Sequence, residues 1–262
     1  MTAYITNSPT SDERPSLAQN WTPENLRDIS AVFEGSHPSE ILRWGLDTFT
    51  PNIALAAAFG PEDVVQIHLI SQLRPETTMF YLDTDLLFTE TYQLRDELAE
   101  RLSVRFTRVH GGSSVAEQTV QHGPALWKRD PGLCCQLRKV APLRNFLASQ
   151  RAWITGIRRD QTLLRANAGL VEWDVGNELV KFNPLASWTS VDVWAHIREH
   201  SLPSNLLHEQ GYLSIGCEPC TRPVVPGEDP RAGRWGDMDK TECGIHVQLP
   251  EEQNVGADAT VS

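Results

Sequence analysis

The sequence predicts an α/β fold built on a mostly parallel sheet with helices on both faces. Three observations carry this. Short apolar runs occur at Ile53–Phe59, Thr78–Leu82 and Trp153–Ile157, helical stretches separate them, and a polar cluster closes each run. Strands alternating with helices make crossover units, and strands covered on both faces read as unbroken apolar runs. Ligands in such sheets bind at the carboxyl ends of the strands. The clusters Gly60–Asp63, Asp83–Asp85 and Arg158–Gln161 therefore mark the candidate site.

Residues 1–20 are polar, rich in Ser, Thr, Asn and Pro, and read as disordered or loosely docked. Thr22-Pro23-Glu24 opens a helix, with Pro at the first helical position, running to Phe33. A second helix spans Glu40–Thr48. Ile53–Phe59 is a strand, Gly60–Asp63 a tight turn, and Val64–Leu73 a helix. After the strand Thr78–Leu82, Thr89–Leu102 is a charged amphipathic helix, and Val104–Val109 alternates as a half-exposed strand would. Gly111-Gly112 turns into a helix from Ser114. Leu137, Val140, Leu143, Phe146 and Leu147 keep helical spacing, predicting one helix over Cys134–Leu147. Val180–Leu185 reads as an edge strand, because Pro184 argues against a central one. Thr189-Ser190-Val191-Asp192 is a capping box for a helix reaching His200. The expected organisation is a main domain at 21–222 and a mobile Gly/Pro-rich tail at 223–262.

The chain has 262 residues, 40% hydrophobic, enough for one large domain. Its net charge of -11 gives no general attraction for nucleic acid or anionic membranes. No apolar run approaches a bilayer span, and the N-terminus lacks the pattern of a signal peptide. A cytoplasmic location is expected, where thiols stay reduced and close cysteine pairs point to metal.

Five cysteines carry the chemistry. Cys134 and Cys135 are adjacent, Cys217 and Cys220 form C-E-P-C, and Cys243 stands alone in T-E-C-G-I-H. Four paired thiolates suffice for one metal centre, and the fifth is left as a nucleophile. Zinc is one option for the four. The adjacent pair would close a strained ring on a single ion but can reach different irons of a [4Fe-4S] cluster, which also takes four thiolates. Spacing leaves both open. Lys139, four residues after Cys135 on the expected helix, is either a surface lysine or a source of positive charge for the centre and substrate.

Eight segments together resemble the assimilatory adenylyl-sulfate reductases, within the wider phosphoadenylyl-sulfate reductase family. They are F-G-P-E-D at 59–63, L-D-T-D-L-L-F-T-E-T-Y at 82–92, C-C-x-x-x-K at 134–139, G-I-R-R-D-Q at 156–161, K-F-N-P-L at 181–185, C-E-P-C at 217–220, R-A-G-R-W at 231–235 and E-C-G-I-H at 242–246. The resemblance covers roughly residues 40–246. It implies an adenine nucleotide alpha-hydrolase-like, Rossmann-type fold and a [4Fe-4S] cluster on Cys134, Cys135, Cys217 and Cys220. It implies that Cys243 is the catalytic nucleophile, and that adenosine 5'-phosphosulfate is reduced to sulfite and AMP in sulfate assimilation and cysteine biosynthesis. Thioredoxin or a glutaredoxin-like protein is the implied reductant.

The substrate-binding set expected from the motifs is Phe59, Gly60, Glu62, Asp63, Asp83, Lys139, Arg158, Arg159, Arg231, Arg234 and His246. Arg231 and Arg234 are expected to clamp phosphate or sulfate oxygens when the tail closes. His246 reads either as a group binding the sulfonate or tuning the thiolate, or as a surface histidine. Asp83 reads as a ribose contact or a strand terminator. Two positions depart from the family pattern: Ala58 replaces a usual Ser, and Asp85 a usual Gly. Without that hydroxyl, backbone N–H groups of the turn are expected to take more of the anion contact. Asp85 is expected to disfavour a 3'-phosphate. The 3'-phosphorylated substrate, or dual specificity, is the alternative within the family. An S-G-G-x-D-S phosphate loop, expected of ATP pyrophosphatases and tRNA thiolation enzymes, is absent. A zinc-bound non-catalytic scaffold is the reading from a different class. Oligomeric state is left open, with a homo-oligomer among the options.

Overall fold

A computed structural model describes residues 21–236, 240 and 242–246. The expected disorder of residues 1–20 lies outside the described residues, as does the tail at 237–239, 241 and 247–262.

Two helices lead in, α1 (Pro23–Val32) and α2 (Pro38–Phe49). Thr22 caps α1 through a capping box, and Pro23 supplies the fixed φ of a first helical residue. Two crossover units follow: β1 (Ile53–Ala56), α3 (Pro61–Leu73), β2 (Thr78–Asp83), α4 (Thr89–Leu102) and β3 (Phe106–His110). Then come α5 (Val115–His122), α6 (Leu126–Arg129), α7 (Pro131–Cys135), a π-helical turn (Gln136–Val140) and α8 (Ala141–Leu147). The chain returns through β4 (Ala152–Ile154), β5 (Val171–Asp174), β6 (Leu179–Phe182) and α9 (Ser190–Glu199).

The six strands lie in the order β3-β2-β1-β4-β6-β5. All neighbours are parallel except β5 and β6. β6 is thus an interior strand, correcting its expected edge position. Pro184 lies two residues past Phe182, where it removes no ladder donor. The edge belongs to β5, whose V-E-W-D is too short and too polar to register as a strand from sequence.

Alternate residues of the central strands feed opposite faces. Ile53 and Leu55, Met79 and Tyr81, and Ala152 and Ile154 join a large core with residues of α1, α2, α3 and α9. Ala54, Phe80 and Trp153 point the other way, into a smaller core with Leu143 and Leu147 of α8. Each fully buried large side chain contributes about 1.5–3 kcal/mol. This two-sided cover leaves the strand ends of β1, β2 and β4 as the face on which polar groups collect. Among the described residues no helix is long and apolar enough to cross a membrane.

The single helix expected over Cys134–Leu147 is broken into α7, the π turn and α8. Asp130 caps α7, its carboxylate accepting the Leu133 N–H at 2.8 Å.

Candidate active site

The turn between β1 and α3 is locked from within. Phe59 takes φ 62°, in the left-handed region. Its side chain is buried, with ring centroids 5.7 Å from Tyr81 and 5.1 Å from Phe106. The Asp63 carboxylate accepts the N–H groups of Ala58 at 2.7 Å and Gly60 at 3.2 Å. Two amides expected to be open to an anion are thereby engaged inside the turn. Burial, reinforced by neighbouring Glu62 and opposed by these backbone donors, pushes the Asp63 carboxyl up to about 7. Gly156, just past β4, has no room for a side chain: a Cβ there would lie 2.7 Å from Asp63 Oδ1.

The arginines of the third cluster are also partnered. Arg158 Nε donates to Glu62 at 2.8 Å, and its Nη1 to Asp160. Arg159 pairs with Glu34 and donates to the Ala168 carbonyl at 2.8 Å, tying this loop to the end of α1.

At the end of β2, Asp83 accepts from Tyr92 Oη at 2.7 Å and Arg108 Nε at 2.6 Å. Asp85 sits at φ 55°, a conformation that glycine takes without strain, which gives a physical reason for Gly as the usual residue. Its carboxylate is held by Arg108 at 2.8 Å, His110 at 2.7 Å and Arg138 at 3.3 Å. The negative charge expected to repel a further phosphate is surrounded by cationic and polar donors.

The two cysteine pairs, 81 residues apart in the chain, meet in one pocket. Cys134, Cys135, Cys217 and Cys220 line it together with Leu86, Trp127, Trp235, Lys139 and Arg234. It holds ≈ 370 Å³ of space, part of it open to solvent. Cys217 is presented by a bridge to Leu87, and Thr84 Oγ1 lies 3.3 Å from its sulfur. Burial and the neighbouring thiols push Cys134 and Cys220 up, Cys220 to about 12. Burial likewise raises Cys135, against the nearby Lys139 charge. Such thiols give up their protons to a metal group rather than to water. Among the described residues, the ligand atoms converging within 4.8 Å in a group of three belong to His68, His196 and His200, not to the cysteines. Four cysteine sulfurs lining one cavity are the donor set that a [4Fe-4S] group takes.

Lys139 projects from the π turn into this pocket. Although burial disfavours its charge, the sulfurs of Cys217, Cys243 and Cys135 raise its pKa. Cys243 shows the reciprocal effect. Burial works against the thiolate, yet Lys139, Arg234 and Arg231 hold its thiol below the ordinary value. Arg234 donates to the Ile215 carbonyl at 3.2 Å and lies over the Trp235 ring at 4.6 Å. Its Nε is buried without a partner among the described residues. Gly216 permits this approach, since a Cβ there would lie 2.6 Å from Arg234 Cζ.

The segment carrying Cys243 is anchored on both sides. The Glu242 carboxylate is gripped by Arg165 at 2.8 and 3.0 Å and by Arg231 at 3.1 Å. His246 stacks on Trp153 at 5.6 Å and is kept neutral by burial and by Lys181. Arg165 and Arg138 are functional candidates that the sequence reading passed over. Arg138 lies inside C-C-Q-L-R-K, so the motif itself flags it, whereas Arg165 stands in L-L-R-A-N-A, which matches no pattern.

Residues 52–223 match the family profile described as phosphoadenosine phosphosulfate reductase domain. An adenosine 5'-phosphosulfate reductase of Salinibacter ruber is 51% identical over 94% of this chain and 97% of its own length. A phosphoadenosine 5'-phosphosulfate reductase of Gloeobacter violaceus is 41% identical over 90% of this chain and 98% of its own. The crystal structure of phosphoadenylyl-sulfate reductase from Candida auris, a phosphate complex, superposes with a TM-score of 0.67 at 29% identity, covering 77% of this chain and 98% of that one.

Proposed function

Because this chain belongs to the phosphoadenosine phosphosulfate reductase family, we propose that it reduces adenosine 5'-phosphosulfate to sulfite and AMP in sulfate assimilation. The observation that carries this reading is the position of Cys243: outside the four-cysteine pocket, yet beside Lys139, Arg234 and Arg231. A free thiol is a few per cent ionised near neutrality, and these cations favour the nucleophilic form.

The substrate sulfur is electrophilic but ringed by anionic oxygens. Lys139, Arg234 and Arg231 neutralise those oxygens as the nucleophile approaches. The Cys243 thiolate then forms a bond to sulfur while the bond from sulfur to the phosphate oxygen breaks. AMP leaves with the electron pair, and Cys243 carries an S-sulfonate. One thiol of a thioredoxin- or glutaredoxin-like protein attacks the Cys243 sulfur and expels sulfite. Its second thiol resolves the mixed disulfide, so the dithiol supplies both electrons. Docking and release of Glu242 between Arg165 and Arg231 lets the tail close over the nucleotide and reopen for the reductant.

Cys134, Cys135, Cys217 and Cys220 would hold a [4Fe-4S] cluster. When bound, it supplies structural cross-linking and local electrostatics beside the sulfate. No flavin or nicotinamide is required.

A second reading, dual use of the 3'-phosphorylated substrate, is favoured by the engagement of Asp85 with Arg108, His110 and Arg138. The Gloeobacter relative's name points the same way. The deciding experiment for the main reading is mass spectrometry of the enzyme given adenosine 5'-phosphosulfate without reductant. A sulfonate adduct on Cys243, absent in Cys243→Ser along with sulfite production, is expected. An adduct on another cysteine, or turnover by Cys243→Ser, would reject it.

A further inference from the structure

Three histidines outside the cysteine site converge where α3 packs on α9. His68 comes from α3, and His196 and His200 come one helical turn apart from α9. Their candidate ligand atoms all lie within 4.8 Å of one another. We propose that His68, His196 and His200 form a binding site for a first-row divalent transition ion, with zinc as its representative.

The geometry is close to what such an ion needs. His68 Nδ1 and His196 Nε2 face each other at 3.0 Å. Tetrahedral Zn–N bonds of about 2.0–2.1 Å require nitrogens roughly 3.3 Å apart, a small spreading of this pair. Ring centroids lie 5.2 Å apart for His68 and His196, 4.6 Å for His68 and His200, and 4.4 Å for His196 and His200. His68 and His196 are buried and their rings are fixed, whereas His200 is exposed and free to adjust. The fourth position opens to solvent on that side.

Two further features suit a cation. The side-chain amide of Gln72 lies 2.9 Å from His68 Nε2. With its oxygen turned inward, it accepts the Nε2–H and leaves Nδ1 as the ligand, the usual support for a metal-bound imidazole. His200 is the C-cap of α9, where unsatisfied carbonyls favour positive charge. Imidazole nitrogens suit zinc, copper and nickel rather than magnesium or calcium. The bound ion would pin α3, whose first residue follows the Gly60 turn, to α9.

The test uses the full chain with its cysteine pocket occupied, given one equivalent of Zn²⁺. X-ray absorption at the zinc edge is expected to show nitrogen and oxygen ligands at about 2.0–2.1 Å with imidazole scattering, and no sulfur shell near 2.3 Å. His200→Ala removes an exposed ligand without disturbing the core. It is expected to weaken zinc binding at least about tenfold by calorimetry. Saturating zinc at about 100 times the dissociation constant should raise the wild-type Tm by about 5 °C. The same zinc concentration should raise the Tm of His200→Ala by no more than about half as much. A sulfur shell, equal affinity in the two proteins, or no zinc binding by wild type would each overturn the proposal.

Discussion

Replacing Arg165 by alanine is expected to free the Cys243 segment while leaving the sheet intact. The Arg165 and Glu242 side chains are only 12% and 9% exposed, and they meet through two bonds of 2.8 and 3.0 Å. Breaking a buried pair costs about 3–5 kcal/mol, chiefly because the surviving charge is stranded. Here the stranding is partial, since Arg231 keeps its 3.1 Å contact with Glu242. About 2 kcal/mol is therefore expected, a roughly 30-fold rise in the open population. Hydrogen exchange over 242–246 reads this directly: those amides should exchange about 30-fold faster in Arg165→Ala, with β1 and β2 unchanged. Glu242→Gln made in the Arg165→Ala background should cost much less than in wild type, because the charge it removes has already lost its main partner. Exchange within about twofold of wild type, or strict additivity of the two substitutions, would refute the idea that this ion pair holds the Cys243 segment.

Gly216→Ala would push a methyl group to 2.6 Å from Arg234 Cζ. The guanidinium must move, so kcat/KM should fall at least about tenfold, with Tm changed by only a few degrees; unchanged kinetics would remove Arg234 from the substrate's path. Asp63 offers a pH test. Its folded pKa is raised from 3.8 to about 7, so its contribution is fully present below the lower value and is lost as pH rises to the upper one. Between pH 5 and 7, wild type should lose up to about 1.4 kcal/mol per unit relative to Asp63→Asn in urea unfolding; parallel slopes would contradict the shift. For substrate choice, kcat/KM with a thioredoxin system should favour the unphosphorylated substrate at least about tenfold, or about 1.4 kcal/mol. A reversed ratio would make the 3'-phosphorylated compound the substrate while leaving the role of Cys243 standing.

The crossover units were legible because their signals are local. Pro61 after Gly60, and the charged run Thr89–Leu102, mark α3 and α4 in the sequence itself. The π turn was not, because Leu137, Val140 and Leu143 satisfy an α-helical spacing equally well. The interior place of β6 depends on strands far away in the chain, and Pro184 misled by standing just beyond its end. The five cysteines announced a site by number and spacing alone. What they could not announce is the ionic wiring around it. Arg158 and Arg159 looked like open anion ligands but are bonded to Glu62, Asp160 and Glu34. Asp85 looked like a bare negative charge. Such pairings arise only when separate segments fold together, and so does the grip of Arg165 on Glu242.

The shared pocket of the two cysteine pairs also sets a schedule for making the protein. Cys134 and Cys135 are synthesised before β4, β5, β6 and α9. At about 5–20 residues per second, the 81 intervening residues delay Cys217 and Cys220 by roughly 4–16 s. During that interval the first pair faces the cell with no second wall behind it, exposed to stray metal and to oxidants. A group that needs all four sulfurs can be completed only when synthesis is nearly over. By then β4 has already been free to pair with β1. On the proposed [4Fe-4S] assignment, loading would be a late event on an almost finished sheet, and cells short of iron would accumulate a folded chain lacking only its last-built corner.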